Sequence, residues 1–152
     1  MAKGFSITES LTACTATPGD TSISIAGVAA RRIEVTGFIA AILGTTADSM
    51  AQWQLRRFDT ADGTGTTLSV EAAADPVDAS LVVCKGNHTA EPTYGSLMIP
   101  VNYPCHLRNT AIWRAEASFP QIIPAVATEG FGLVGFDAAY VGLLGTTLFW
   151  KE

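Results

Sequence analysis

The stretch ASFPQIIPAVATEGFGLVGFDAAYVGLLGTTLFW, residues 117–150, decides the fold of this chain. Only Glu129 and Asp137 are charged in it, whereas glycine and β-forming residues are frequent. The solvent-facing side of a sheet normally carries interspersed charges, so a long neutral strand region predicts a sheet that is covered on both sides or packed against another subunit. The stretch therefore favours a structural assembly protein over an enzyme.

The composition of the whole chain indicates one domain with a surplus of apolar surface. Its 152 residues are enough to bury about two thirds of the chain surface without metals or disulfides. Hydrophobic residues make up 48% and charged residues 15%, against about 25% charged in an average domain. The net charge of −5 and the scattered basic residues argue against nucleic acid as a partner.

The cysteines and the N-terminus predict a cytoplasmic site of synthesis. Cys14, Cys84 and Cys105 are odd in number and lack a CxxC spacing, which favours reduced thiols and no metal site. The segment GFSITES after Lys3 lacks the apolar core of a signal peptide. The uncharged stretches 35–47 and 138–150 are shorter than the roughly 20 apolar residues that span a bilayer, so no membrane insertion is expected.

Residues 1–20 are predicted to be an extended N-terminal arm, followed by one β-domain over residues 21–152. The first 20 residues are small and polar and end in the turn signal Thr17-Pro18-Gly19-Asp20. We expect such an arm to be ordered by a neighbouring subunit, so that its deletion leaves the stability of the domain within about 1 kcal/mol.

From Ser22 onward, apolar residues recur with a period of two, which is typical of half-buried strands. Phe38 falls on the outward face by this count. Further strand-like runs are separated by Gly, Pro and Asn, and the spacing predicts an all-β, antiparallel sandwich of about eight to ten strands with one short helix starting at Asp75-Pro76. The predicted inward positions are Ile23 and Ile25; Ile33, Val35 and Ile39; Ala51, Trp53 and Leu55; and Ala111, Trp113, Ala115 and Ala117.

One short motif, Gly130-Phe131-Gly132-Leu133-Val134-Gly135, matches the glycine pattern of dinucleotide-binding loops. That fold needs a helix after the glycines and an acidic ribose ligand about 20 residues later, whereas the chain here ends in another strand-like run. The glycines are therefore interpreted as sites of bends or of close contacts within a sheet, and no cofactor is predicted.

Other residues with chemical potential also have simpler interpretations. Asp59, Asp62 and Gly63 are typical of a turn, because the alternate oxygen ligands of a calcium loop are missing. His88 and His106, the only imidazoles, lie outside any nucleophile motif, and strand alternation sends Cys105 and His106 to opposite faces. No catalytic residue and no enzymatic activity are predicted.

The arginine doublets and the aromatic residues leave two binding alternatives to weigh. Arg31-Arg32 and Arg56-Arg57 are expected to pair with Glu34, Asp59 or a neighbouring subunit rather than with phosphate.

Residues 87–89 form a glycosylation sequon, which is interpreted as a chance match. Exposed Trp and Tyr can build platforms for sugars, so a carbohydrate-binding sandwich stays open, although alternation places the Trp residues in the core.

Eight short segments in residues 27–152 resemble small structural proteins encoded by tailed bacteriophages. They are ARRIEVTG (30–37), QWQLRRF (52–58), EPT (91–93), LRNTAIWRAE (107–116), IIPA (122–125), GFGL (130–133), FDAAYVG (136–142) and the C-terminal WKE. The resemblance implies a virion component, of which a capsid decoration (cement) protein with a jelly-roll-like β-sandwich is the expected type.

Such a protein would act by binding rather than by chemistry. The expected partners are the major capsid protein and further copies of this chain, with a trimer favoured, because bound copies stabilise an assembled shell by mass action. A tail or fibre component that contacts the host surface is the alternative within the virion. A carbohydrate-binding module and an unrecognised hydrolase are the alternatives from other classes.

Overall fold

Strands form all the regular secondary structure in the described part of the chain, which the computed structural model gives as residues 3–14, 20–29, 31–43, 50–60, 62–72, 80–95, 99–106, 108–136 and 142–152. Twelve strands lie in these ranges, more than the eight to ten expected. They are β1 (Gly4–Cys14), β2 (Asp20–Ala26), β3 (Ile33–Leu43), β4 (Met50–Phe58), β5 (Thr64–Thr67), β6 (Glu71–Ala72), β7 (Val83–Ala90), β8 (Val101–His106), β9 (Ala111–Arg114), β10 (Gln121–Ile123), β11 (Gly130–Phe136) and β12 (Gly142–Lys151).

The strands form two six-stranded antiparallel sheets, as predicted for a β-sandwich. Sheet A has the order β10-β3-β12-β1-β6, with β9 also pairing with β3, and sheet B has the order β5-β7-β2-β11-β4-β8. Each sheet draws on strands from both ends of the chain, so every layer depends on pairings between residues that are distant in sequence. The short helix expected at Asp75 lies outside the described residues, and no helix among the described residues is long and apolar enough to cross a membrane.

One hydrophobic core fills the space between the sheets. Phe5, Ile33 and Trp150 enter it from sheet A, and Ile23 and Trp53 enter it from sheet B. Among the predicted inward residues, Ile23, Ile25, Ile33, Val35, Ala51, Trp53, Leu55 and Ala111 are buried. Alternation therefore placed eight of the twelve predicted inward residues correctly, because each sheet has one face turned towards the other.

The predicted inward face of β3 is wrong beyond Thr36. Val35 pairs with Trp150 of β12 and Gly37 pairs with the preceding Phe149, so Thr36 is an extra residue on β3. An extra residue inverts the alternation of all side chains that follow it. Phe38 is consequently fully buried, whereas Ile39 is turned away from the core and is only half-buried.

The inward set predicted around Trp113 is only partly confirmed. Ala111 is buried and Trp113 packs against the core while remaining partly exposed. Strand β9 ends at Arg114, so Ala117 lies in the following turn and is exposed.

The prediction of an N-terminal arm outside the core is not confirmed, and it is wrong for β1. This strand lies between β12 and β6 in sheet A, and its register with β12 runs from Gly4 opposite Lys151 to Cys14 opposite Gly142. Phe5 and Ile7 are buried in the core. Two large apolar residues in alternate positions bury this segment inside the domain, although most of its other side chains are small or polar.

The glycines of the dinucleotide-like motif lie in β11, which pairs with β2 on one side and with β4 on the other. A Cβ atom on Gly130 would collide with the carbonyl oxygen of Ile25, and one on Gly132 would collide with the hydroxyl of Tyr94. The interpretation of these glycines as sites of close contact within a sheet is confirmed.

Candidate functional site

The outer face of sheet A carries a central row of uncharged side chains. Residues paired directly across neighbouring strands share a face, and the pairs Ile112–Ile39, Ile39–Thr147 and Thr147–Thr8 place these four residues in one line across β9, β3, β12 and β1. Phe149 belongs to the adjacent row on the same face. We call these five residues the neutral face.

The neutral face has few side-chain groups that need a hydrogen bond from water. The hydroxyls of Thr8 and Thr147 lie 3.0 Å apart and hydrogen-bond to each other. Ile112 is 53% exposed, and the guanidinium carbon of Arg114 lies 5.8 Å from the centre of the Phe149 ring. An apolar row with satisfied hydroxyls in the middle of a sheet is the kind of surface that packs against another protein.

A groove opens where sheet B ends at β8 and sheet A ends at β9 and β10. It comprises two adjoining cavities of about 530 and 430 Å³, which share Pro100 and Gln121. The larger one is lined by Tyr103 and Trp113, which point inward from the two edge strands, and by the exposed Phe119. We call this feature the edge groove.

Phe38 supports both inward-pointing aromatic residues of the edge groove. The ring of Trp113 lies 5.6 Å from the Phe38 ring at an interplanar angle of 30°, and the Tyr103 ring meets Phe38 edge-on at 6.4 Å. Because Phe38 is itself fully buried, the two rings are held on a rigid base. The inversion of β3 at Thr36 thus supplies the base of the groove.

Phe119 projects from a hydrogen-bonded turn at the margin of the same groove. The amide of Phe119 donates to the carbonyl of Glu116 at 2.9 Å, and the side-chain amide of Gln121 donates to the carbonyl of Phe119 at 3.3 Å. Phe119 is nevertheless 71% exposed, the largest exposed fraction among the described large hydrophobic residues. A fixed backbone therefore presents a large apolar side chain to solvent.

The outer face of sheet B carries a partly buried polar cluster of Thr21, Ser24, His88, Glu91 and Tyr94. Glu91 accepts hydrogen bonds from both the amide and the hydroxyl of Thr21, whose hydroxyl also lies 2.6 Å from the Tyr94 hydroxyl. The imidazole of His88 lies 3.1 Å from the Ser24 hydroxyl through Nε2 and 3.2 Å from the Thr21 carbonyl oxygen through Nδ1. These contacts attach residues 88–94 to the sheet.

The contacts of His88 define its neutral tautomer. A carbonyl oxygen can only accept, so Nδ1 carries the proton that is donated to Thr21, and Nε2 accepts from the hydroxyl of Ser24. Burial lowers the pKa of His88, although Glu91 and Asp62 oppose this effect and Lys85 adds to it. Ser24 has no exposed surface, so this Ser–His pair offers a substrate no access to the hydroxyl.

We expect acidification to destabilise the protein through His88. Because its pKa is lowered in the folded state, the unfolded chain binds the proton more readily, and stability falls as the pH drops below the ordinary histidine value of about 6.5. Urea unfolding near neutral pH and at about pH 5 measures this loss. The variant His88→Gln should show a smaller loss over the same interval, and equal losses in the two proteins would contradict the assignment.

The other charged residues that the sequence analysis considered lie far apart, and those described next pair with charged side chains of the same chain. Arg31 lies 3.7 Å from the Glu152 carboxylate, and Arg57 pairs with Glu129, so acidic partners were predicted correctly but their positions were not. Asp62 pairs with Lys85 at 2.9 Å. Gly63 next to it has φ of 68°, as its predicted turn requires.

The described cysteines are free thiols, as expected. Cys84 is buried, and burial together with Asp62 and Glu152 raises its pKa to about 12, while Cys105 is partly exposed. The Nδ1 atom of His106 accepts a hydrogen bond from the backbone amide of Arg108 at 3.2 Å. Among the described residues, no group of three or more His, Cys, Asp or Glu side chains could hold a metal ion.

Sequence reasoning missed Tyr94, Phe119 and the assembly of the edge groove. Tyr94 stacks beneath the guanidinium of Arg56, whose carbon lies 4.7 Å from the ring centre. No local pattern signals this role, because it depends on residues 88–94 folding back on β2. Comparison with protein-family models, with curated proteins and with solved structures gives no match.

Proposed function

We propose that this protein is a structural virion component of a tailed phage, a decoration protein that binds the outer shell and joins neighbouring subunits. Its partners are the major capsid protein and further copies of this chain, with a trimer as the expected oligomer. The neutral face is the observation that carries the proposal, because an uncharged sheet surface is best used when another protein covers it.

The strand order supports a jelly-roll form of the sandwich. In a jelly roll of eight strands, the first pairs with the last, the last with the third and the third with the sixth, while the other sheet joins the second, seventh, fourth and fifth. Here β1, β12, β3 and the pair β9 and β10 follow the first order, and β2, β11, β4 and β8 follow the second. Strands β5, β6 and β7 would then be an insertion between the fourth and fifth strands.

The jelly roll is a common form of viral capsid domains and of lectins, so the strand order is consistent with a virion role. The neutral face adds that the sheet containing the first and last strands is suited to contact with another subunit. Neutral side chains also let several copies approach one another without repulsion between like charges.

Self-association should depend on the neutral face. We expect sedimentation velocity at micromolar concentration to detect an oligomer of the wild-type chain, and Ile112→Lys to shift it towards the monomer. A lysine introduced at the 53%-exposed Ile112 can reach solvent in the monomer but would be buried in the interface. Ser69→Lys, which adds the same charge at an exposed position outside the neutral face, is the matched control.

The virion role is tested separately by fractionating particles on a density gradient. We expect the wild-type protein and Ser69→Lys to sediment with filled capsids, and Ile112→Lys to remain in the soluble fractions. Recovery of the wild-type protein on isolated tails would assign it to the tail instead. Recovery of all three proteins only in the soluble lysate would reject the virion role.

A further inference from the structure

The edge groove has aromatic surfaces that the fold of the chain leaves uncovered. Trp113 and Tyr103 are anchored on Phe38 yet retain exposed area in the larger cavity, and Phe119 stands beside them on its turn. Side chains that only completed the core would be covered, as Trp53 and Trp150 are at 1% exposure each. The groove therefore offers preorganised stacking surfaces to a ligand.

Polar groups of complementary kinds surround these rings. Glu116 supplies carboxylate acceptors and the amide of Asn102 supplies both donors and acceptors, while Arg114 also lines the cavity. The side-chain nitrogen of Gln121 is engaged with the carbonyl of Phe119, which leaves its oxygen able to accept from a ligand. Donors and acceptors thus lie together beside the aromatic rings, and the larger cavity has one cationic and one anionic lining residue, Arg114 and Glu116.

This combination fits a neutral sugar better than the other ligand classes. A sugar ring has an apolar face of C–H groups that can lie on an aromatic ring, and its hydroxyls both donate and accept hydrogen bonds. An apolar peptide would bury Glu116 and Arg114 without partners, which is costly. An anionic polymer would meet Glu116 and a net charge of −5.

The size and shape of the groove favour more than one sugar residue. Cavities of about 530 and 430 Å³ each fall within the usual range for ligand sites, roughly 300–1,000 Å³. The second cavity continues from Pro100 and Gln121 towards Ile99 and Ile122. We propose that the edge groove binds a neutral oligosaccharide, with Phe119 and Trp113 as stacking surfaces and Glu116 as a hydroxyl acceptor.

Nuclear magnetic resonance of the isotope-labelled protein tests the proposal directly. The probes are neutral oligosaccharides of glucose, galactose, mannose and N-acetylglucosamine, and a proline-rich peptide represents the rival ligand class. We expect at least one oligosaccharide to shift the indole N–H of Trp113 and the side-chain amide of Gln121 in a saturable manner. The absence of such shifts with every oligosaccharide, or shifts with the peptide alone, would overturn the proposal.

Two variants identify the contacts and leave the fold in place. Phe119→Ala removes a side chain that is 71% exposed, and Glu116→Gln keeps the shape of an exposed residue. We expect each to weaken saccharide binding by about tenfold, whereas Ser69→Ala, at an exposed position outside both the edge groove and the neutral face, should bind as the wild type does. Unchanged affinity in both groove variants would reject the assigned site. Saccharide binding in the edge groove does not depend on a virion role. The saccharide proposal and the virion proposal can therefore fail independently of each other.

Discussion

Trp53→Ala is expected to lower the free energy of unfolding by about 3–5 kcal/mol, the usual cost of removing a large aromatic side chain from a core. Trp53 is 1% exposed, lies on β4 and is surrounded by residues of both sheets. Urea unfolding monitored by circular dichroism measures the loss.

Trp113→Ala is the matched control for that experiment. The alternating pattern alone predicts that both Trp53 and Trp113 point inward, and from this pattern truncation of Trp113 would carry the same large cost. The structure makes Trp113 an edge residue that is partly exposed in the groove, so its truncation should cost less than that of Trp53. An equal or larger loss at Trp113 would show that the edge groove is closed in solution.

Deletion of residues 1–14 is expected to prevent folding, whereas deletion of an arm would leave the domain folded. The deletion removes β1 from between β12 and β6 in sheet A, uncovers the hydrogen-bonding edge of β12 and takes Phe5 and Ile7 out of the core. Circular dichroism and a thermal melt of the purified fragment test this expectation. A cooperative transition at the wild-type temperature would restore the arm interpretation.

Point substitutions in β1 separate core packing from the loss of the strand itself. Ile7 is 2% exposed, so Ile7→Ala should cost about 2–5 kcal/mol, whereas Thr8→Ala at the exposed neighbouring position should cost about 0.5 kcal/mol. Similar small effects at both positions would mean that β1 contributes little to the core.

Most of the two-layer architecture could be predicted from the sequence because strand alternation is a local property. Ile23 and Ile25, or Trp53 and Leu55, lie two residues apart and therefore share a face wherever the strand is placed. The glycines of β11 were likewise interpretable from the strand-like runs around them. Pairing over long distances was not readable in this way, which is why β1 was mistaken for an arm.

The candidate sites depended on features that no local pattern contains. A single extra residue at Thr36 inverted the rest of β3, turned Phe38 inward and so supported Tyr103 and Trp113 at the groove. The neutral face required the register of four strands, and the His88 cluster required residues 88–94 to fold back on β2. The sequence by itself determined strand type, the low charge and most of the inward positions that were predicted from it, because these follow from side-chain chemistry and a period of two. Only the tertiary structure decided which neutral residues share a surface and which aromatic rings stay uncovered, because both depend on register and on where each sheet ends.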